Sequence, residues 1–351
     1  MKKTKFAKIF GGLMALTMAL TGCNGGTSST TSGSSSEGSS TGESSSDAAS
    51  DKLKIGIIQY VSHPSLDNCY QGIKEGLESS EYKDKITIDL QNGMGTGETC
   101  DQIANTMVAN EYDMIFAIAT PAALSAYSAA KDSDIPVIFC AVSDPVSAGL
   151  TASFDAGLEN CVGTSDVLEL DKQVELIKTL QPDVKKIGVL YTTTEANSLS
   201  QLKTLKEVCG AQDIEVVEQG VSGAADIPQA AANLASQVDC INNFTDNNVV
   251  NNLSVLLEKA NAANVPVYGS EIEQVKNGCI ASVSIDYVAL GKKTAEMGVE
   301  VLNGKKCSEM AVQKISDGTP VVNTDVLAQF GIELPEAYAD AEKVTTNTAE
   351  Q

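Results

Sequence analysis

In YDMIFAIATPAALSAYSAAK, residues 112–131, an apolar run from Met114 to Ala119 stops at Thr120-Pro121, and small residues then recur at helical spacing. Thr120 reads as an N-cap and Pro121 as the first helical residue, so a buried strand ends by turning unbonded helix amides outward, a chemistry suited to anions. This matters in a chain whose 24 basic residues are all lysine. Without arginine, a ligand carboxylate must be held by Lys, hydroxyls or backbone amides, and Thr120 with Ser143 can supply the last two. Asp246, at the equivalent place in a second copy of the pattern, or Glu271 or Asp144, could hold an ammonium group. Thr120 and Asp246 have an alternative role as plain helix caps that touch no ligand.

A dipolar solute bridging two such places needs something between its charges. Charge-assisted hydrogen bonds contribute ~1.5–3 kcal/mol each, whereas burying an aromatic side chain adds roughly 4–6 kcal/mol. An apolar ring would therefore raise affinity most, and Tyr60, Tyr191, Phe244 and Tyr287, all near strand ends, could line its slot.

Catalytic patterns are missing. His63 is the single histidine and reads as a turn residue beside Pro64; no G-x-S-x-G surrounds a serine, and no P-loop or G-x-G-x-x-G opens a helix. The glycine-rich GMGTG at 93–97 reads as an ordinary loop. Eight cysteines beyond Cys23 have no C-x-x-C and no zinc-type spacing; several sit in apolar runs and read as buried free thiols, so no metal or cofactor is expected. The formal net charge of −22 argues against nucleic acid and anionic membrane surfaces as partners.

These residues need a scaffold. Residues 1–22 read as a signal peptide: a basic MKKTKFAK, an apolar IFGGLMALTMAL too short to span a bilayer comfortably, and LTGC, which resembles a lipobox and implies a lipid on Cys23. Residues 23–51, dominated by Ser, Gly and Thr, form a tether too polar to fold. From residue 53, KLKIGIIQY, KITIDLQNG, YDMIFAIA and IPVIFCAV read as strands alternating with amphipathic helices, which implies an α/β fold with a parallel sheet covered on both faces. The order returns from Lys185, with KKIGVLYTTTEANS echoing KLKIGIIQYVSHPS and FTDNN standing where IATPA stood. Two lobes follow: 52–164 plus 287–319, and 165–286 plus 320–338, with 339–351 as a tail. The elements after the second copy imply a multi-strand hinge on which the lobes close.

The segments IGIIQYVSHPSLDNCYQGIKEGL, IFAIATPAA, AVSDPVSAGL, IGVLYTTTEANS, FTDNNV, PVYGSE and SIDYVALGKKTAEM together resemble the solute-binding lipoproteins of ABC importers in the tryptophan/tyrosine-type subfamily, over about residues 53–335. The resemblance implies two Rossmann-like lobes in the type I periplasmic-binding-protein fold. It also implies a receptor that delivers an aromatic amino acid to a membrane permease with an associated ATPase. Taken with the residues themselves, it assigns Thr120, Ala122 and Ser143 to the carboxylate and Asp246 to the ammonium. Tyr60, His63 and Pro145 would contact the side chain, while Glu195, Asn197 and Ser198, with Asn247 beside Asp246, close from the second lobe. Ser62 departs from the acidic residue common in the family. The expected place is the outer face of the cytoplasmic membrane of a Gram-positive cell. An adhesin or sensor in contact with host surfaces, and a sugar or purine receptor, are the alternatives on the same fold.

Overall fold

The computed structural model describes residues 52–315 and 318–347. The signal peptide, Cys23 and the tether lie outside the described residues, among which no helix is long and apolar enough to cross a membrane. The first lobe runs β1 (Leu53–Gln59), α1 (Pro64–Glu78), β2 (Ile86–Asn92), α2 (Gly97–Ala109), β3 (Met114–Ile118), α3 (Thr120–Ala130) and β4 (Val137–Cys140). A short hairpin, β5 (Thr151–Ser153) and β6 (Ala156–Gly157), leads to β7 (Cys161–Ser165).

The chain then crosses to α4 (Leu170–Leu180), β8 (Lys186–Thr192), α5 (Ala196–Gly210), β9 (Glu215–Val221), α6 (Ile227–Ala235) and β10 (Cys240–Asn242). Next come α7 (Asn247–Asn251), α8 (Leu253–Ala262), β11 (Val267–Tyr268), α9 (Ile272–Lys276) and β12 (Ala281–Ser284). It returns for α10 (Tyr287–Leu302) and β13 (Gln313–Lys314), and crosses a last time to β14 (Thr319–Asn323), α11 (Thr324–Phe330) and β15 (Glu342–Val344).

The first sheet has the order β13-β7-β4-β3-β1-β2 and the second β11-β10-β8-β9, with every neighbouring pair parallel. β1, β3 and β4 are apolar runs buried on both faces, as helices above and below a parallel sheet require. In each lobe the strand order reverses once, between β1 and β3 and between β8 and β10, and at such switch points the open carboxyl ends of strands leave a crevice. A third sheet, β12-β14-β15, packs into the second lobe, where Val283, Val321 and Val322 are buried. Residues 339–351, set apart as a tail from sequence, thus contain a strand: Glu342–Val344 pair in parallel with Val321–Asn323.

α10 comes from far along the chain yet lies parallel to α1 in the first lobe. The two helices meet at glycines: a Cβ on Gly72 would stand 2.1 Å from the Val288 carbonyl oxygen, and one on Gly291 2.2 Å from that of Cys69. This close seam lays the first turns of α10 against the middle of α1, and His63 and Tyr287, at the starts of the two helices, both reach the cleft between the lobes. All eight described cysteines are free and buried, as their apolar neighbourhoods led us to expect.

Candidate functional site

Between the lobes lies a narrow cleft, lined from the first lobe by His63, Ala119, Thr120, Ser143, Asp166 and Tyr287 and from the second by Asn197, Thr245, Asn247 and Gln274. The sheet reversals deliver most of these. His63 follows β1, Ala119 and Thr120 follow β3, Asn197 follows β8, and Thr245 and Asn247 follow β10.

The start of α3 differs from expectation by one residue. Ala119, not Thr120, occupies the cap position, and Thr120 is the first helical residue with Pro121 behind it. The cause is the backbone of Ala119, which swings into the left-handed region at φ 78° and turns the chain a residue early. Its methyl cannot cap. The Thr120 hydroxyl, instead of folding over the first turn, sits buried in the cleft with no hydrogen-bond partner. Ala122 does not line the cleft with its side chain; its backbone N–H belongs to the first turn, where amides have no intrahelical acceptor.

Beside it stands a carboxylate that the sequence reading missed. Asp166, at the end of β7, is buried and accepts hydrogen bonds from the Ser143 hydroxyl at 3.0 Å and the Tyr287 hydroxyl at 2.8 Å. Burial pushes its carboxyl above the ordinary range, against the pull of those two hydroxyls. No lysine faces it in the cleft lining, so a cationic ligand group would relieve that cost. Cys161–Ser165 is short and carries only one aliphatic side chain, which hid β7 from a periodicity search; the Ser-Asp pair at its end matches the hydroxyl and carboxylate pattern of other strand ends.

Across the cleft, Asp246 does not present its carboxylate to the interior. It caps α7 by accepting from the Val249 N–H, and also accepts from the Thr192 N–H and hydroxyl and from the Ser198 hydroxyl, four bonds of 2.6–3.0 Å. Fully buried and fully bonded, it has no acceptor left for an ammonium group; Ser198 is likewise committed to it. Glu195 stands just behind the lining, accepting from the Asn247 and Asn248 backbone N–H groups and from the side-chain amides of Asn197 and Asn247. Burial, and then the Asp246 carboxylate, raise its pKa.

Other expected residues act at the seam between the lobes. Asp144 accepts a 2.6 Å bond from the Ser200 hydroxyl, and Gln201 Nε2 donates to the Ser143 hydroxyl at 2.9 Å. Glu271 caps α9 through the Glu273 and Gln274 N–H groups, and the Ser65 hydroxyl of the first lobe bonds to it. Tyr60 donates its hydroxyl to the Gly95 carbonyl at 2.7 Å and, like Pro145, does not line the cleft. Phe244 is fully buried core, Tyr191 packs against that core, and Tyr287 is the aromatic ring that reaches the site.

A family model described as ABC transporter substrate binding protein matches residues 54–345. The chain belongs to that family. It is therefore a solute-binding component of an ABC transporter and not an enzyme, and the fold is that of the type I binding proteins. The binding protein is 41% identical over 275 residues, 78% of this chain and 79% of the other, to a protein of Clostridioides difficile (strain R20291) named tyrosine-binding protein. A solved structure from Streptococcus pneumonia, described as an ABC domain in complex with L-Trp, matches with TM-score 0.81 at 36% identity, covering 84% of this chain and 99% of that one. A ligand-free, open substrate-binding protein from Clostridium difficile, described as having adhesive properties, matches with TM-score 0.65 at 38% identity, covering 84% and 100%. At nearly equal identity the binding protein resembles the ligand-bound shape more than the open one, as its bonds across the cleft require.

Proposed function

We propose that the binding protein captures an aromatic amino acid, tyrosine or tryptophan, by closing its lobes, and delivers it to a membrane permease driven by an ATPase. The observation that carries this reading is the buried, unpartnered Thr120 hydroxyl at the start of α3, in the same cleft as the buried carboxylate of Asp166. The amide of Ala122 and the Thr120 hydroxyl bind the ligand carboxylate at the positive end of the helix. Asp166, in place of Asp246, binds the ammonium. Tyr287 and His63 border the ring. The names of the two similar proteins, one tyrosine-binding and one holding L-Trp, support the same ligand class.

Isothermal titration with L-Tyr, L-Trp and L-Phe, beside a native mass spectrum searched for carried-over ligand, tests this; a protein that binds a sugar or purine and none of the three amino acids overturns it. Anchoring to the outer face of a Gram-positive membrane through a lipid on Cys23 is part of the proposal, and Cys23→Ala should then release the protein to the medium. A second reading, contact with host surfaces, rests on the adhesive properties ascribed to the similar Clostridium difficile protein. Cell binding that survives Asp166→Asn would separate that role from uptake.

A further inference from the structure

Two of the unsatisfied atoms in the cleft lining, His63 Nδ1 and Asn197 Oδ1, are available as acceptors, and one side chain behind the lining sets this. Glu195 Oε2 accepts from Asn247 Nδ2 at 2.7 Å and from Asn197 Nδ2 at 3.0 Å. An amide whose NH2 end is held by a carboxylate has only its oxygen to offer on the other side. Asn197 Oδ1 is accordingly buried with no partner. Asn247 Oδ1 faces His63 Nε2 at 3.5 Å, an arrangement that attracts only if Nε2 carries a hydrogen.

Burial lowers the His63 pKa to about 4, only partly offset by Asn247 and the Asp67 carboxylate, so the ring is neutral and has a single N–H. With that hydrogen on Nε2, Nδ1 is a bare acceptor, and it too is buried without a partner in the cleft lining. Oε2, to which three of the four Glu195 donors point, stays an acceptor even in the protonated acid, whose hydrogen then sits on Oε1. The Thr120 hydroxyl and the α3 amides are donors and suit a carboxylate. His63 Nδ1, Asn197 Oδ1 and Asp166 are acceptors and exceed what a lone ammonium group beside Asp166 must satisfy.

We propose that His63 Nδ1 is a specificity-determining acceptor for a hydrogen carried by the ligand ring, the phenolic O–H of tyrosine or the indole N–H of tryptophan, and that Glu195 is the positioning residue that holds it in that state. The assignment rests on the aromatic amino acid reading and sharpens it. Phenylalanine would leave the acceptor buried and unpaired, and sites built around such a bond reject the analogue lacking it strongly, here by a factor of about 100 or more.

The test is titration of the purified protein with L-Tyr, L-Trp and L-Phe, with His63→Phe and Glu195→Gln beside it. His63→Phe should cut the tyrosine-to-phenylalanine ratio to below about 10 by weakening tyrosine and tryptophan and sparing phenylalanine. Glu195→Gln brings its own NH2 group, forces one asparagine amide to turn, and should lower the same ratio about tenfold while phenylalanine moves less than about threefold. Equal loss for all three ligands in either variant would overturn that residue's assigned role and mark it as structural.

A readout independent of affinity exists because His63 is the single histidine of the chain. In tyrosine-saturated protein labelled with ¹⁵N-histidine, NMR should show the Nε2–H tautomer at pH 6, with an Nδ1 resonance that shifts when tyrosine is exchanged for phenylalanine. An Nδ1–H tautomer or a charged ring at that pH overturns the proposal. Phenylalanine bound as tightly as tyrosine overturns it too and leaves the ligand class standing, whereas binding of none of the three removes the reading beneath it.

Discussion

At matched places the two lobes begin a helix at a sheet reversal, and they treat its positive end in opposite ways. In the second lobe α7, five residues long, is closed by the protein itself: Asp246 caps it and Glu195 accepts from the next amides. In the first lobe α3, eleven residues long, starts from an alanine that cannot cap, and its Thr120 hydroxyl points into the cleft without a partner. Thr245-Asp246-Asn247 and Thr120-Pro121-Ala122 occupy equivalent positions, yet one is capped from within and the other is left uncapped. Two similar lobes provide two helix starts, and in the proposed function leaving only one of them uncapped is what would give a dipolar ligand a defined orientation.

The sharpest way to break this contrast is Asp246→Ala. Four buried donors would lose their acceptor, and we expect a loss of about 3 kcal/mol of stability, read as a lower urea midpoint at unchanged m. A variant that keeps its stability and loses only affinity would reverse the roles of the two lobes. Asp166→Asn comes next. It keeps the shape and removes the charge, so affinity for the amino acid should fall about 100-fold, or about 2.7 kcal/mol, with the unfolding midpoint nearly unchanged.

Thr120→Val should do less, about a tenfold loss of affinity by calorimetry, and stability should hold or rise slightly because a buried, unpartnered hydroxyl becomes a methyl. A fall in stability there would mean that Thr120 acts as a cap after all. The last effect is one of pH. Burial raises the Glu271 pKa from 4.5 to about 7, so between those values the folded chain keeps a proton that the unfolded chain has lost, and stability falls as pH rises through the window. His63 has the opposite sign: its pKa, lowered from 6.5 to about 4, costs stability as pH falls through that range. Glu271→Gln should flatten the decline of Tm between pH 5 and 7, by at most about 1.4 kcal/mol per pH unit, and leave the acid-side loss in place.

Which parts of this were legible in the sequence follows from where a periodic signal existed. β3 and β4 are uninterrupted apolar runs and β1 holds the run Ile55–Ile58, α2 is capped by the Thr96 side chain, and the second copy of the pattern repeats the first in order and spacing. β15, with the sequence EKV, has almost no apolar signal, because it pairs at the edge of a small sheet and buries little beyond Val344. Asp166 went unseen with its strand. The misplaced cap at Thr120 turns on one backbone angle at Ala119, which no side-chain pattern encodes. Asp246 posed a different difficulty, since aspartate is equally fit to cap a helix and to bind an amine; only the four donors around it decide.

The glycine seam between α1 and α10 bears on how the molecule is made. The first lobe cannot complete its core until residues 287–302 have been delivered, long after its own first strands, so contacts of that core span more than 200 positions along the chain. A nascent chain truncated before that point holds β1 and α1 without the partner that buries Leu66, Cys69 and Ile73, and should remain unfinished and easily threaded through a narrow channel.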